Sequence, residues 1–487
     1  MPVCYCLIKI SIMAQERYNL FDTFEYRGKW WLPENPENVV GGNLVVTKDE
    51  MVLDLFGSLR GDDLSKLLGS GEVFTPNIIN GITDNGNLCT LKENYFRGSE
   101  FSLISVPGVI IRESYIVKFL FIGELFTSIE DIKFKSVSVN YSLLEEWLSK
   151  RVFKTDTSYK EKLSQVQFSF PESFEVYISN IDAHISLDGH FNTGGDEFRT
   201  LIWNYMAFLK ITPNDDRDFD WFGEQLHSLA SMLTLFTGEP IYPRRIKAQI
   251  GRQNKNTENQ IKQPIEILYK PIGTESPKSL HPLQMILPFS LVRENIADVI
   301  SNWFEKSNLL KPTVDIFISI FYQSNIYIDN VFLNLMHAIE SFHRRRYGGQ
   351  YIPEQEYRQY LKQIILPVAM PSELKESLRK RLEYGNEYSL RKRFKKLFEI
   401  LKSELRILIT SNTDSFIKSV LDTRNFLTHY DKKLEEKCLR GADLYYTNQR
   451  LALLLTIVLL KEIGISEDII HQQILQTKRF ADLLQKG

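Results

Sequence analysis

The sequence predicts an α+β protein, a β-rich N-terminal domain followed by an all-α helical bundle. Three observations carry this reading. Up to about residue 310, short β-branched and aromatic runs are cut by Pro, Asn and Gly, the pattern of strands and turns. From about 293 onward, apolar side chains recur at helical rather than alternating spacing. Charge divides with the texture: residues 311–487 carry 28 Lys and Arg against 21 Asp and Glu, a net of +7, in a chain whose overall net charge is −2. A basic helical part favours a polyanionic partner there, although solvated helix faces give the same imbalance.

The elements follow in order. MPVCYCLIKISI (1–12) is apolar but has neither a basic leading region nor a small-residue cleavage site. Met13 then opens MAQERYNLFDTF, so residues 1–13 read as a misassigned start, with an extra edge strand as the alternative. The β-rich domain is placed at 14–310. NLVVT (43–47) and MVLDLFG (51–57), joined by a polar turn, predict a hairpin, and SLISVPGVIIRESYIVKFLFIGELF (102–126), QVQFSF and FEVYIS continue as strands. Helix is expected near 143–153 and across 220–238, where Gly238 is a natural stop. RQNKNTENQIKQ (252–263) has almost nothing to bury and reads as a loop. The bundle is placed at 311–487. The helical pattern begins just before it, and the candidate helices are 293–307, 327–346, 353–365, 371–383, 388–408, 413–428, 442–462 and 466–485.

Several classes are excluded. The 4 Cys form neither a CxxC pair nor an even ladder, which argues against a disulfide scaffold or a structural zinc site and makes a reducing cytoplasm the default. LALLLTIVLL (451–460) is the longest apolar run worth testing for a membrane span. Ten residues of helix rise only about 15 Å, half a bilayer core, so a buried bundle helix fits better. There is no GxxxxGK[ST] phosphate loop, no HExxH helix and no GxSxG elbow, and NTGGDE (192–197) reads as a turn. IDAHISLDGH (181–190) sets Asp182, His184, Asp188 and His190 on even positions and Ile181, Ala183, Ile185 and Leu187 on odd ones. Such alternation is what a half-buried strand requires, and it is favoured over a metal site. LRKRFKKLFEIL (390–401) and HRRR (343–346) offer basic faces, either solvated or tracking phosphates.

TRNFLTHY (423–430) holds Arg424, Asn425 and His429. In a chain with 8 His, an Arg–His pair at this loose spacing is expected about once by chance. Context must therefore decide. At 100° per residue, Arg424 points with Phe416, Ile417, Val420 and Leu427, toward the bundle, and His429 lies 140° away. A partly buried guanidinium requires a carboxylate, and Glu340, in the otherwise apolar helix NVFLNLMHAIESFHRR, is the candidate. Arg424 and His429 meet at one phosphate only if the helix ends between them or a second chain contributes. Asp431, Lys432 and Lys433 favour an end near there. The residue types suit RNA self-cleavage: imidazole as acid or base, guanidinium for phosphoryl charge, Asn to orient. No cofactor or metal is called for.

The bundle resembles HEPN domains, many of which are metal-independent ribonucleases with an R-x(4–6)-H motif and a polar residue after the Arg. Arg424, Asn425 and His429 match that motif at its shortest spacing, and LMHAIESFHRR is similar to an early helix of such a domain. YRGKWWLPENPENVVGGNLVV and LDLFGSL are similar in texture to the N-terminal domain of the ApeA family, bacterial anti-phage abortive-infection proteins with a C-terminal HEPN domain. The resemblance covers 14–487. It implies an RNA substrate, a phage trigger, a toxic ribonuclease restrained until infection, and active sites built where two HEPN domains dimerise. Arg424, Asn425 and His429 would be catalytic, with Glu340 and Asp431 supporting. The other reading is a catalytically inactive module that binds a nucleotide, RNA or a protein.

Overall fold

The structure is a computed structural model describing residues 18–61, 74–103, 109–158, 160, 162–196, 198–251, 263–270, 279–323, 325–365 and 369–485. The expected start region 1–13 and nearly all of the polar loop 252–263 lie outside them. The chain forms two compact units. The first comprises the described residues up to Ala230 with Ile241–Ser279, and the second Ser231–Pro240 with Leu280–Gly487.

In the first unit, β1 (Phe24–Leu32), β2 (Asn35–Val46), β3 (Met51–Leu55), β4 (Ile78–Thr83), β5 (Leu88–Leu103) and β6 (Val109–Ile122) run in the antiparallel order β6-β3-β2-β1-β4-β5, and β5 pairs again with β6 to close a barrel. The expected hairpin is present, with Val46 opposite Met51, and Thr47 closes its turn by accepting the Glu50 amide on its hydroxyl. Closure needs room inside. Trp30 is fully buried and donates its indole N–H to the Gly42 carbonyl at 3.2 Å, while a side chain at Gly81 would stand 2.2 Å from the indole ring. Glycine at 81 is therefore a packing requirement.

β6 outruns the barrel. Residues 113–116 pair with β3, and residues 119–122 pair with β16 (Ile265–Tyr269). From there an antiparallel sheet continues through β15 (Pro243–Gln249), β8 (Ser136–Tyr141), β13 (Thr200–Pro213), β12 (Ala183–Asp196) and β11 (Glu175–Ile178). The remaining strands form two-stranded pairs: β9 (Phe153–Ser158) with β10 (Leu163–Phe168), and β7 (Lys133–Phe134) with β14 (Arg217–Asp218). Helix near 143–153 is reduced to α1 (Leu144–Leu148), because Ser149 turns left-handed and 153–158 extends. NTGGDE is mostly strand: β12 runs through Asp196, whose side chain closes the following turn onto the Phe198 and Arg199 amides.

α2 (Phe219–Thr237) is the expected helix, stopped at Gly238 in the left-handed region. The helices of the second unit are α3 (Ile296–Glu305), α4 (Ser307–Tyr322), α5 (Ile328–Tyr347), α6 (Glu354–Ile365), α7 (Ser372–Glu383), α8 (Leu390–Glu399), α9 (Ser403–Ile409), α10 (Thr413–His429), α11 (Gly441–Glu462), α12 (Glu467–Gln476) and α13 (Ala481–Gln485). α11 carries LALLLTIVLL, and Leu451 and Leu453 to Leu460 are all buried, as a central bundle helix requires. No helix among the described residues is long and apolar enough to cross a membrane. The expected 388–408 helix is two. It breaks at Leu401–Lys402, where Glu467 accepts the Lys402 amide and Lys461 reaches the Ile400 carbonyl.

α4 is absent from the sequence expectation because Pro312 sits inside it. Proline has no N–H to return to the Asn308 carbonyl. Arg345 repairs the gap: its guanidinium donates to the Asn308 carbonyl at 2.8 Å and the Leu309 carbonyl at 2.7 Å. The HRRR run is thus partly a splint for another helix. Arg345→Ala is expected to lower stability by about 1 kcal/mol in urea unfolding. In a Pro312→Ala background, where the amide returns, the same change should cost measurably less, and equal costs in both backgrounds would refute the repair.

Candidate active site

Thr413 to His429 form one unbroken helix. Asn412 caps its start by accepting the Ser415 amide at 3.0 Å, and Tyr430, left-handed at φ 50°, caps its end by donating its amide to the Phe426 carbonyl. The helix therefore ends after His429, not between Arg424 and His429. On one helix the two side chains stay about 140° apart.

Burial locates the helix faces. Phe416, Ile417, Val420 and Thr423 are buried, Arg424 and Asn425 are half-buried, and His429 is exposed. Arg424 lies at the edge of the apolar stripe, not under it. Phe416 packs on Phe398 of α8 with ring centroids 6.1 Å apart, and Lys395 of α8 pairs with Asp414 at 2.7 Å.

The expected Arg424–Glu340 pair does not form. Glu340 pairs one helical turn along α5 with Arg344 at 3.1 Å, which also reaches Glu387 at 3.0 Å. Arg424 instead donates to the Asn425 side-chain oxygen at 3.3 Å, and among the described residues no carboxylate pairs with it. Being only half-buried, it keeps enough water to need none. Asp431 accepts the Lys433 amide at 3.0 Å and caps the 3₁₀ turn Lys432–Lys437.

Sequence reasoning missed Thr423. Its buried hydroxyl donates to the Ser419 carbonyl at 2.8 Å and accepts the Leu439 amide at 3.0 Å. The segment after the helix is thereby tied back against the turn that carries Arg424. A Thr one residue before the Arg was visible, but nothing local announces a partner sixteen residues on.

The basic motifs are largely neutralised. Arg393 of LRKRF is buried. It donates to the Tyr388 and Gly348 carbonyls at 3.0 and 2.5 Å and pairs with Glu387 at 3.2 Å. Its Nη1 stands 3.2 Å from Nδ1 of buried His343. Lys392 lies over the rings of Tyr388 and Tyr351, and Lys396 pairs with Glu399 at 2.7 Å. Arg346 pairs with Glu462 at 2.8 Å. These contacts make both runs structural parts of the bundle. Residues 183–187 alternate as expected, with Ala183, Ile185 and Leu187 buried. Asp182 accepts from the Tyr177 hydroxyl at 2.7 Å, and His184 Nδ1 stands 3.7 Å from Glu175. Among the described residues no three His, Cys, Asp or Glu gather as a metal site.

Apart from this helix, one recess in the first unit is lined by Glu145, Leu148, Phe153, Pro171 and Tyr205. Burial raises the Glu145 carboxyl against the pull of the Ala207 amide and the Asn140 side chain, and it pushes the Tyr205 hydroxyl up to about 12.

A closed β-barrel with an attached sheet, joined in sequence to a helical bundle carrying R-x4-H at a helix end, defines a two-part protein with a HEPN-type bundle. A family model described as ApeA N-terminal domain 1 matches residues 25–303, and one described as Apea-like HEPN matches residues 333–469, the stretch holding Arg424, Asn425 and His429. The chain belongs to the ApeA family, with a C-terminal HEPN domain. No curated protein and no solved structure matched it.

Two stability outcomes follow. Arg424→Gln should leave stability within about 1 kcal/mol of wild type in urea unfolding, whereas Arg393→Gln strips a buried cluster and should cost about 3 kcal/mol or more. The His343 imidazole is pushed down to about 4, first by burial and then by the Arg393 and Lys396 charges. The unfolded chain then takes up that proton first. His343 thus contributes stability that is full above about pH 6.5 and is lost as pH falls toward 4, on the order of 2 kcal/mol. Thermal unfolding between pH 7 and 4 should show that dependence reduced in His343→Gln.

Proposed function

We propose that this protein is an anti-phage ribonuclease that cleaves RNA by metal-independent transesterification and so arrests growth during infection. One observation carries the reading: Arg424 is a half-buried guanidinium with no carboxylate partner among the described residues, five residues before an exposed His429 on the helix of the HEPN match. A cation left without a counter-charge on a basic bundle suits a phosphate.

The chemistry needs four acts. A base takes the 2′-hydroxyl proton, the 2′-oxygen attacks phosphorus, a cation offsets the extra phosphoryl charge, and an acid protonates the leaving 5′-oxygen. The products are a 2′,3′-cyclic phosphate and a 5′-hydroxyl. His429 would serve as base or acid, Arg424 would hold the pentavalent phosphoryl oxygens, and Asn425, already bonded to Arg424, would fix the guanidinium plane. Asp431 would support the site by setting the turn after Tyr430.

Because α10 is unbroken through His429, one copy presents Arg424 and His429 in different directions. This supports a homodimer in which a second α10 faces the first, so that two imidazoles and two guanidinia surround one phosphate. On this reading the HEPN domain is the catalytic part, and the β-rich domain carries restraint and response to the phage trigger.

His429→Ala should abolish RNA cleavage, a loss of at least a hundredfold, and growth arrest on expression. Because His429 is exposed, the variant should unfold as wild type does, within about 0.5 kcal/mol. Analysis of RNA 3′ ends should find 2′,3′-cyclic phosphate with wild type and none with the variant. A purified variant that cuts RNA at the wild-type rate would refute the assignment.

A further inference from the structure

We infer that Tyr430, seated on Phe426, is a stacking platform for an unpaired nucleobase beside the scissile phosphate. This deepens the ribonuclease reading above and rests on it for the place of the phosphate.

The backbone is the first observation. Residue 430 caps α10 in the left-handed region, at φ 50° and ψ 37°. That position favours Gly or Asn, since a Cβ there is crowded against the following carbonyl. A tyrosine holds it instead.

The second observation is where the ring goes. It is not spent on a core: Tyr430 is 71% exposed. Its ring meets Phe426 edge-on at 5.7 Å and 63°, and Phe426 in turn lies 5.8 Å from the Arg440 guanidinium. Arg440 is itself held by Glu435 at 3.4 Å. Guanidinium, phenyl and phenol thus form a contiguous cluster at the helix end, and its exposed ring follows His429 in the chain.

Strained backbone combined with an exposed, supported aromatic ring brings folding nothing that Asn would not supply better. Such combinations collect where a side chain must be presented. The exposed Lys432 and Lys433 follow immediately, one turn of backbone away. An aromatic face with adjacent cations is what single-stranded RNA requires, because every base has a π face and every linkage a charge. Paired bases in a duplex offer no free face. The ligand class is therefore single-stranded RNA, with little discrimination among bases.

The test uses the full chain in a His429→Ala background, so that cleavage does not consume the probe. A fluorescein-labelled single-stranded oligoribonucleotide is titrated against Tyr430, Tyr430→Phe and Tyr430→Asn, read by anisotropy. Asn accepts the left-handed backbone, so Tyr430→Asn should melt at the same temperature as its parent or higher. It should weaken RNA binding roughly tenfold, the scale of one lost base stack, while Tyr430→Phe stays within about twofold. Equal affinity in Tyr430→Asn would overturn the inference, as would a loss in Tyr430→Phe matching that of Tyr430→Asn, which would assign the effect to the hydroxyl. Absence of measurable RNA binding by the Tyr430 parent would overturn it as well. A wild-type chain that binds but does not cut RNA would sink the ribonuclease reading alone, because the binding comparison stands without cleavage.

Discussion

An α-helix turns 100° per residue, and α10 does so without interruption from Thr413 to His429. Every feature of the candidate site answers to that geometry. Four buried residues, Phe416, Ile417, Val420 and Thr423, fix which way the helix faces. Arg424 then falls at the edge of the stripe and His429 on another side. Had the helix broken after Arg424, one chain could have folded both groups around a phosphate. Because the break comes at Tyr430, the same sequence presents them in two directions, and the proposed reading completes the site from a second copy.

Charge satisfaction distinguishes this helix from the basic segments around it. Arg393, Arg344, Arg345 and Arg346 look like a nucleic-acid track in sequence, yet each is committed to a carboxylate or to backbone carbonyls. Arg393 is the extreme case, buried with its guanidinium spread over two carbonyls and Glu387. Such a group cannot be released to a ligand without leaving a buried charge uncompensated. Arg424 carries no such commitment: its neighbour is a neutral amide oxygen. The number of cations in a segment therefore says less about a phosphate site than which of them remain unspoken for.

Much of the architecture was legible from periodicity. The two-part α+β organisation, the 43–57 hairpin, the strand expected at 181–190 (which begins at Ala183), α2 with its glycine stop and most bundle helices were read from apolar spacing and turn residues. These signals are local and the structure respects them. Failures came where a local rule was overruled from a distance. Pro312 argues against helix, but Arg345 on α5 supplies the missing donor. The 388–408 stripe is continuous, but Glu467 and Lys461 fix a break at 401–402. Barrel closure through β5 and β6 has no local signature, because a strand's second partner leaves no mark on its own alternation. For the site, the helix was legible, while Arg424, read as facing the bundle, lies half-buried at the edge of the apolar stripe. Its partner was not legible, since choosing Glu340 assumed a burial that the wheel angle alone cannot measure.

The left-handed residue at 430 links the ending of the helix to its use. On the proposed reading, a helix carrying the catalytic histidine in its last turn must stop cleanly, or the next turn would cover the imidazole. Tyr430 stops it, and the Thr423–Leu439 hydrogen bond draws the returning chain against the helix two turns earlier, on the buried side. Asp431 tightens the turn, and Arg440 arrives beneath Phe426 as the cap of α11. These contacts fix the chain around the end of α10. On the proposed reading, two such ends face each other with Arg424, His429 and the Lys432–Lys433 pair on both sides, and like charges would drive them apart. An RNA phosphate between them supplies the missing negative charge. Substrate binding and pairing of the two copies would then be thermodynamically linked, each strengthening the other.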